Sequence, residues 1–456
     1  MSKPLVVINI VGLTPALLGA DTPHLNALID DGFMAPLQPV FPAVTCTAQS
    51  SMLTGLMPNQ HGIVANGWYF RDLSEIWLWR QSNHLVEGEK VWDAARKTNS
   101  DFSCAKMFWW YNMYADVDWS ATPRPIYPAD GRKIPSIYTE PQPLKQHLQS
   151  KFGPFPLFNF WGPTADIRSS KWIADSAREV FDLHQPKLSL VYLPHLDYNL
   201  QRLGPEDPRI GEDVRQIDQV AGELINHVKA KGSNVMVVSE YGTEQATGTV
   251  DINRVLREAG YLHVQETLEW ELLDAGASEA FAVCDHQVAH IYVKNPGQLS
   301  AVRTLLEKIP GISRVLDDQG KKQFAIDHHR SGELVAIAEP GHWFTYYYWL
   351  DDAKAPDFAP TVDIHRKPGF DPAELFIDPE LSRPGLKIAA YLLKKKLGIR
   401  SLLNVIPLNG SQVKGTHGRL FDDPQQGPLL IACKPVEAAE SYRITDVKKL
   451  ILRMLQ

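Results

Sequence analysis

Thr45 has the setting in this 456-residue chain that best suits chemistry. A β-rich approach, Pro39 to Val44, stops at its hydroxyl; small, helix-compatible residues follow from Thr47 to Leu53, and Thr54-Gly55 ends the helix. A hydroxyl that closes a strand and opens a helix lies beside free backbone N–H groups and the positive end of a helix dipole, where a phosphoryl group is held well. Thr45 is therefore a candidate nucleophile toward phosphorus. Acid–histidine clusters supply further candidates. Asp285, His286 and His290 flank a strand entry, and Ile326-Asp-His-His-Arg330 is dense in the same types. Asp363 and His365 are spaced i, i+2, so an extended backbone puts both on one face. Each such cluster alone is more often a hydrogen-bonded loop than a set of ligands.

Phosphoryl transfer needs a nucleophile, neutralisation of the non-bridging oxygens and stabilisation of the leaving oxygen. The segment Phe41 to Ile63, FPAVTCTAQSSMLTGLMPNQHGI, resembles the nucleophile region of the alkaline phosphatase superfamily. The likeness is strongest to the type I phosphodiesterase/nucleotide pyrophosphatase branch, which reads (Y/F)-P-x-x-T, a helix, then T-G-x-x-P-x-x-H-G-I. The resemblance implies that Thr45 is the nucleophile and that two metal ions clamp the attacking oxygen and the phosphate. Three further blocks carry it on. Asp197, in His195-Leu-Asp-Tyr-Asn-Leu-Gln-Arg-Leu-Gly-Pro205, matches a metal ligand; Ser239-Glu-Tyr-Gly242 resembles S-D-H-G; and His417 in Gly415-Thr-His-Gly418 matches a metal histidine.

The departures are as informative. Val11 stands where the family has its first metal aspartate, with Asn9 two residues earlier on the same strand face and able to offer an amide oxygen. Gln201 replaces a histidine, with His195 nearby; Glu240 replaces an aspartate, Tyr241 a histidine, and Ala48 an asparagine that contacts phosphate. This donor set does not make a two-zinc site of the usual kind, which needs nitrogen, sulfur or carboxylate donors in number. One ion held by Asp197, His417 and a neighbour remains feasible. Among the other clusters, Asp363 with His365, then Asp285 with His286, are best suited to rebuild a site. The expected cofactor is one or two divalent ions, zinc, manganese, iron or magnesium, with zinc disfavoured as oxygen donors dominate. The resemblance implies a metal-dependent phosphoryl-transfer hydrolase acting on a phosphodiester, a pyrophosphate or a small phosphorylated metabolite. The alternative is a degenerate member that binds or transfers such a metabolite without hydrolysis. Retention of Thr45, Asp197 and His417 favours catalysis, because polar groups at buried strand ends are costly without partners.

The elements that must position these residues are legible as apolar runs alternating with helical segments. Leu5 to Val11, Leu188 to Leu193 and Asn234 to Ser239 read as buried parallel strands; Ser170 to Leu183 and Pro208 to Ala230 read as helices. The expected fold is an alkaline-phosphatase-like α/β domain: a doubly wound, mostly parallel sheet with helices on both faces and an inserted smaller α+β cap. Residues 1–260 and 385–456 are expected to form the core and 261–384 the cap. Phe344 to Leu350 reads as a strand packed on both faces, and the aromatics Trp109, Trp110, Tyr111 and Tyr346 to Trp349 as possible stacking partners for a substrate ring. A 44% hydrophobic, 22% charged chain is an ordinary globular composition, and a net charge of −7 argues against nucleic acid as a partner. No apolar run reaches about 18 residues, so no membrane partner is expected. Four widely spaced cysteines and an N-terminus that runs straight into a strand are the expected marks of a reduced, cytoplasmic protein. Neither oligomeric state nor a protein partner is legible.

Overall fold

The apolar runs meet in a nine-stranded sheet. Its strand order is Tyr442–Arg443, Phe33–Gln38, Leu429–Ala432, Asn234–Val238, Leu5–Ile10, Leu188–Leu193, Cys104–Met107, Trp119–Pro123 and Ile137–Glu140. The five strands from Asn234–Val238 to Trp119–Pro123 are parallel, and antiparallel strands border them on each side. Every residue of Leu5–Ile10 and Leu188–Leu193 is buried, as a central strand covered on both faces requires. The computed structural model describes residues 3–129, 132–433, 436 and 438–456. Two groups of helices flank the sheet, one containing Ile167–His184 and Ile210–Ala230, the other Thr45–Thr54 and Val447–Met454. This is the doubly wound, mostly parallel core that the sequence implies.

Register decides where the chemistry sits. Asn9 pairs with Tyr192 on one side and Val238 on the other, so the carboxyl ends of three central strands finish level. The residues that follow, Val11, His195 to Asp197, and Glu240 to Tyr241, therefore crowd one end of the sheet, where open α/β folds bind ligands. The helix Thr45–Thr54 opens at the same end. It is buried at all ten positions, which its small side chains permit, and Gly55 closes it in the left-handed region at φ 70°.

A second, antiparallel sheet of four strands, Ala280–Asp285, Val288–Val293, Leu334–Ala338 and Ile312–Leu316, builds its own apolar cluster with helix Leu299–Leu306. The Phe344 to Leu350 expectation needs correction. Only His342–Phe344 is a strand, paired with Gly248–Val250, and residues 345–349 are irregular. Their carbonyls find side-chain partners instead: Arg254 Nε donates to Trp349 O at 2.8 Å and Arg257 Nη1 to Tyr348 O at 3.1 Å. Tyr346 to Trp349 are buried in the second apolar cluster, so they do not offer rings to a substrate. Helix Pro384–Lys396, none of whose residues is buried, has no counterpart among the expected elements. All four cysteines are free, and no described helix is long and apolar enough to cross a membrane.

Candidate active site

The hydroxyl of Thr45 lies at the first turn of its helix, 3.2 Å from the phenol oxygen of Tyr241. Tyr241 in turn donates to Asp197 Oδ1 at 3.4 Å, giving a chain Thr45–Tyr241–Asp197 drawn from three separate elements. Gln201, one helical turn beyond Asp197, donates to Asp197 Oδ2 at 2.7 Å. The ring of Tyr241 stacks on His417 with centroids 3.7 Å apart, and His286, at the turn between Ala280–Asp285 and Val288–Val293, packs against His417 at 3.7 Å. His417 Nδ1 donates to Ala43 O at 2.9 Å. Burial holds that imidazole neutral, with its pKa lowered to about 3, so Nε2 carries a lone pair.

A second network fills the place next to Thr45. Glu240 Oε1 accepts from Asn9 Nδ2 at 2.5 Å and from Gln49 Nε2 at 2.7 Å, while Gln49 Oε1 accepts from the backbone N–H of Trp110 at 2.7 Å. Both carboxyl groups are buried with no Lys or Arg paired to them among the described residues, and burial raises Asp197 to about 7 and Glu240 to about 8. A third network braces the start of the helix. Asn66 Oδ1 accepts from Cys46 N at 3.0 Å, and the Asn66 backbone and Nδ2 donate to the two oxygens of Asp285 at 2.7 and 3.0 Å. Asn66 and Thr45 face one cavity of about 1470 Å³, and one hydrogen of Asn66 Nδ2 is not used by Asp285.

That cavity places the sequence candidates. Thr45, Asp197, Tyr241 and His286 line one part of it, and Asp363 and His365 line another. Asp363 and His365 lie in a turn, so the extended-face argument for them does not apply. Asp285 is held by Asn66 and acts on Thr45 through that bracket, while His290 is buried against Val64 O and Gly332 N. His195 turns away, its Nε2 3.1 Å from Asp213 Oδ1, and does not join the Thr45 cluster. Gln49, Asn66 and Trp110 complete the site. Of these, Trp110 was legible as one of an aromatic run, and Asn66 left a local signal as the polar residue of an Asn-Gly pair between two apolar stretches. Trp110 lines the cavity 4.8 Å from Trp79, whereas Trp109 and Tyr111 are core residues.

The residues present do not fit a two-ion centre. Val11 is apolar, both amides at Glu240 occupy one of its oxygens, and the Tyr241 ring covers His417. Among the described residues no group of three or more His, Cys, Asp or Glu is placed to hold a metal ion. Among the described residues the site keeps two sets of unpartnered donors: Glu240 Oε2 with Asn9 Oδ1, and a second set beside Asp197. His417 Nε2 is buried without a hydrogen-bond partner 4.0 Å from Asp197 Oδ1, and Gln201 Oε1 is likewise buried and unpartnered. Two strong donors and a neutral oxygen suit a single, weakly held divalent ion.

Comparison with known proteins bears on the family and the fold. A sequence model of the type I phosphodiesterase/nucleotide pyrophosphatase family matches residues 5–371. An uncharacterised pyrophosphatase/phosphodiesterase of Schizosaccharomyces pombe is 27% identical over 239 residues, covering 48% of this chain and 40% of that protein. The match thus spans less than half the length of the curated relative. Murine ectonucleotide pyrophosphatase/phosphodiesterase 5, solved as an inactive threonine-to-alanine variant with AMP, superposes with a TM-score of 0.60 at 16% identity, covering 100% of this chain and 95% of that one. Phosphonoacetate hydrolase of Sinorhizobium meliloti 1021 in complex with phosphonoformate gives 0.63 at 13% identity, covering 100% and 96%. At these identities the structural likeness concerns the fold.

Proposed function

This chain belongs to the type I phosphodiesterase/nucleotide pyrophosphatase family of hydrolases, and from that premise we propose that it cleaves a phosphodiester or pyrophosphate with Thr45 as nucleophile. The observation that carries the reading is the hydrogen-bonded line Thr45–Tyr241–Asp197 at a helix N-terminus, on the wall of a large cavity. With Tyr241 donating to Asp197, the Thr45 hydroxyl donates to Tyr241, which leaves a threonine lone pair for phosphorus. The Thr45 proton passes to Tyr241 as the Tyr241 proton passes to the Asp197 carboxylate, the Thr45 O–P bond forms, and the bond from phosphorus to the leaving oxygen breaks, that oxygen departing with its electron pair into the cavity. Free N–H groups at the start of Thr45–Thr54 and the unspent Asn66 hydrogen receive the non-bridging oxygens. Water then releases the phosphoryl group from Thr45.

Members of the family generally depend on divalent ions. Here Asp197, His417 and Gln201 would hold one ion, which when bound adds positive charge beside the phosphoryl oxygens. Elsewhere on the cavity wall stand Arg80, Arg124 and Lys133, none of them ion-paired among the described residues. They suit a substrate with a second anionic group, and the paired rings of Trp79 and Trp110 offer a face for a planar one. The cap, proposed as residues 261–384, contributes His286, His365 and Phe370 to the wall and so takes part in choosing the substrate.

One observation favours a second reading, binding or transfer without hydrolysis. Val11, Asn9 and Gln49 fill the position of one ion with apolar and amide groups. Metal content of chelator-free protein by mass spectrometry, beside Asp197→Ala and His417→Ala, together with turnover of an aryl phosphodiester, separates the two. Hydrolysis predicts at most one ion per chain, lost in both variants, with turnover that follows it. Absence of turnover with every divalent ion tried moves the function to the second reading.

A further inference from the structure

Helix Pro384–Lys396 has two apolar faces where an ordinary surface helix has one. Ile388, Tyr391 and Lys395, at i, i+3 and i+7, line the wall of the cavity that also holds Thr45. On the opposite side Leu386, Leu393 and Leu397 share a stripe and are 63%, 59% and 67% exposed. The patch continues past the helix end to Ile399, about half exposed, and to Leu402, which is equally exposed and also borders the cavity. Six of the fifteen exposed large apolar side chains among the described residues fall between Leu386 and Leu402, and four of them, Leu386, Leu393, Leu397 and Ile399, lie away from the cavity wall. That is a concentrated patch, not the scatter of a normal surface.

Charge identifies its partner. Between Leu381 and Asn404 the sequence holds six Lys and Arg residues and no Asp or Glu, in a chain of net charge −7. At 100° per residue, Lys387 and Lys394 fall on one flank of the Leu386–Leu393–Leu397 stripe and Lys396 on the other. None of the six forms an ion pair among the described residues. An apolar stripe bordered by unpaired lysines is the pattern of a helix that lies in the headgroup plane with its leucines below it.

We propose that helix Pro384–Lys396 and the segment to Leu402 dock this protein on an anionic lipid surface. The absence of an 18-residue apolar run rules out a spanning helix and does not bear on one that lies flat. Because the inner face of the same helix is cavity wall, docking sets that wall against the bilayer. The proposal is independent of whether Thr45 performs hydrolysis.

The test is flotation of the full chain with vesicles of phosphatidylglycerol and phosphatidylcholine, compared with pure phosphatidylcholine. The expected result is partition onto the anionic vesicles only, weakened by high salt. Leu393→Asp with Leu397→Asp, and separately Lys394→Glu with Lys396→Glu, should each lower that partition by about tenfold or more. Because these side chains face solvent, circular dichroism should show both variants folded. Failure of the native chain to float with anionic vesicles overturns the proposal. So does equal partition of native and variant chains, and so does a concentration-dependent dimer that the leucine variants abolish, since the patch would then be a self-association surface.

Discussion

Lowering the pH should loosen the anchor of the nucleophile helix at His61, and His61→Gln should remove that sensitivity. His61 is fully buried at the end of the short helix Pro58–His61. Its Nδ1 accepts from Ile63 N at 3.1 Å, so the ring hydrogen is on Nε2, which donates to Ser51 Oγ at 2.9 Å. Ser51 belongs to the helix that Thr45 opens. An imidazolium cannot accept from Ile63, and burial lowers the pKa from the usual 6.5 to about 3. A folded-state pKa below the unfolded one contributes stability that is complete above pH 6.5 and is lost as pH falls through about 3. From those two values the loss between pH 8 and pH 5 is about 2 kcal/mol. Glutamine offers an acceptor to Ile63 and a donor to Ser51 with no charge to gain. Urea unfolding at both pH values should show the native protein losing about 2 kcal/mol more than the variant. The other buried histidines titrate in both proteins and cancel in the difference. Equal losses in the two proteins would refute the reasoning.

Tyr241→Phe keeps the ring stacked on His417 and removes two long hydrogen bonds, so it should cost about 1 kcal/mol or less in urea unfolding. Its turnover of an aryl phosphodiester should nonetheless fall about 100-fold, because Thr45 loses its proton path. Asn66→Ala leaves Cys46 N–H without an acceptor and takes both side-chain bonds from the bracket, which should cost about 2–4 kcal/mol and lower turnover as well. Arg124→Ala should raise KM for a substrate with a second anionic group while leaving KM for a monoanionic aryl diester little changed, as steady-state kinetics with both substrates would show.

The sequence carried the fold because continuous apolar strands and amphipathic helices declare themselves locally. Leu5–Ile10 and Leu188–Leu193 lie within the segments read as strands, and helix Ile167–His184 extends the expected Ser170 to Leu183 by a few residues. The motif residues Thr45, Asp197, Tyr241 and His417 came together because each sits just past a strand end or at a helix start, where register leaves little choice. Partners were harder to read. The bonds of Glu240 to Asn9 and Gln49 span 231 and 191 residues, and no local pattern announces them. Asn66 was overlooked although its Asn-Gly pair is a local mark, because its partner Asp285 lies 219 residues away. Asp285 and His286 looked like a ligand pair, yet they face different neighbours at a hairpin turn where His286 has φ 56°. Tyr346 to Trp349 misled because aromatic runs favour strands, while here arginine side chains satisfy the backbone that a neighbouring strand would otherwise pair.

The most direct test of the central claim is turnover of an aryl phosphodiester by the native protein and by Thr45→Ala at matched metal content. The Thr45 hydroxyl bonds Tyr241 at a long 3.2 Å, so the variant should fold as the native chain does. Turnover should be lost, and a phosphoryl adduct, trapped by rapid quench and located by peptide mass spectrometry, should appear on Thr45 in the native protein alone. Undiminished turnover in Thr45→Ala would contradict it.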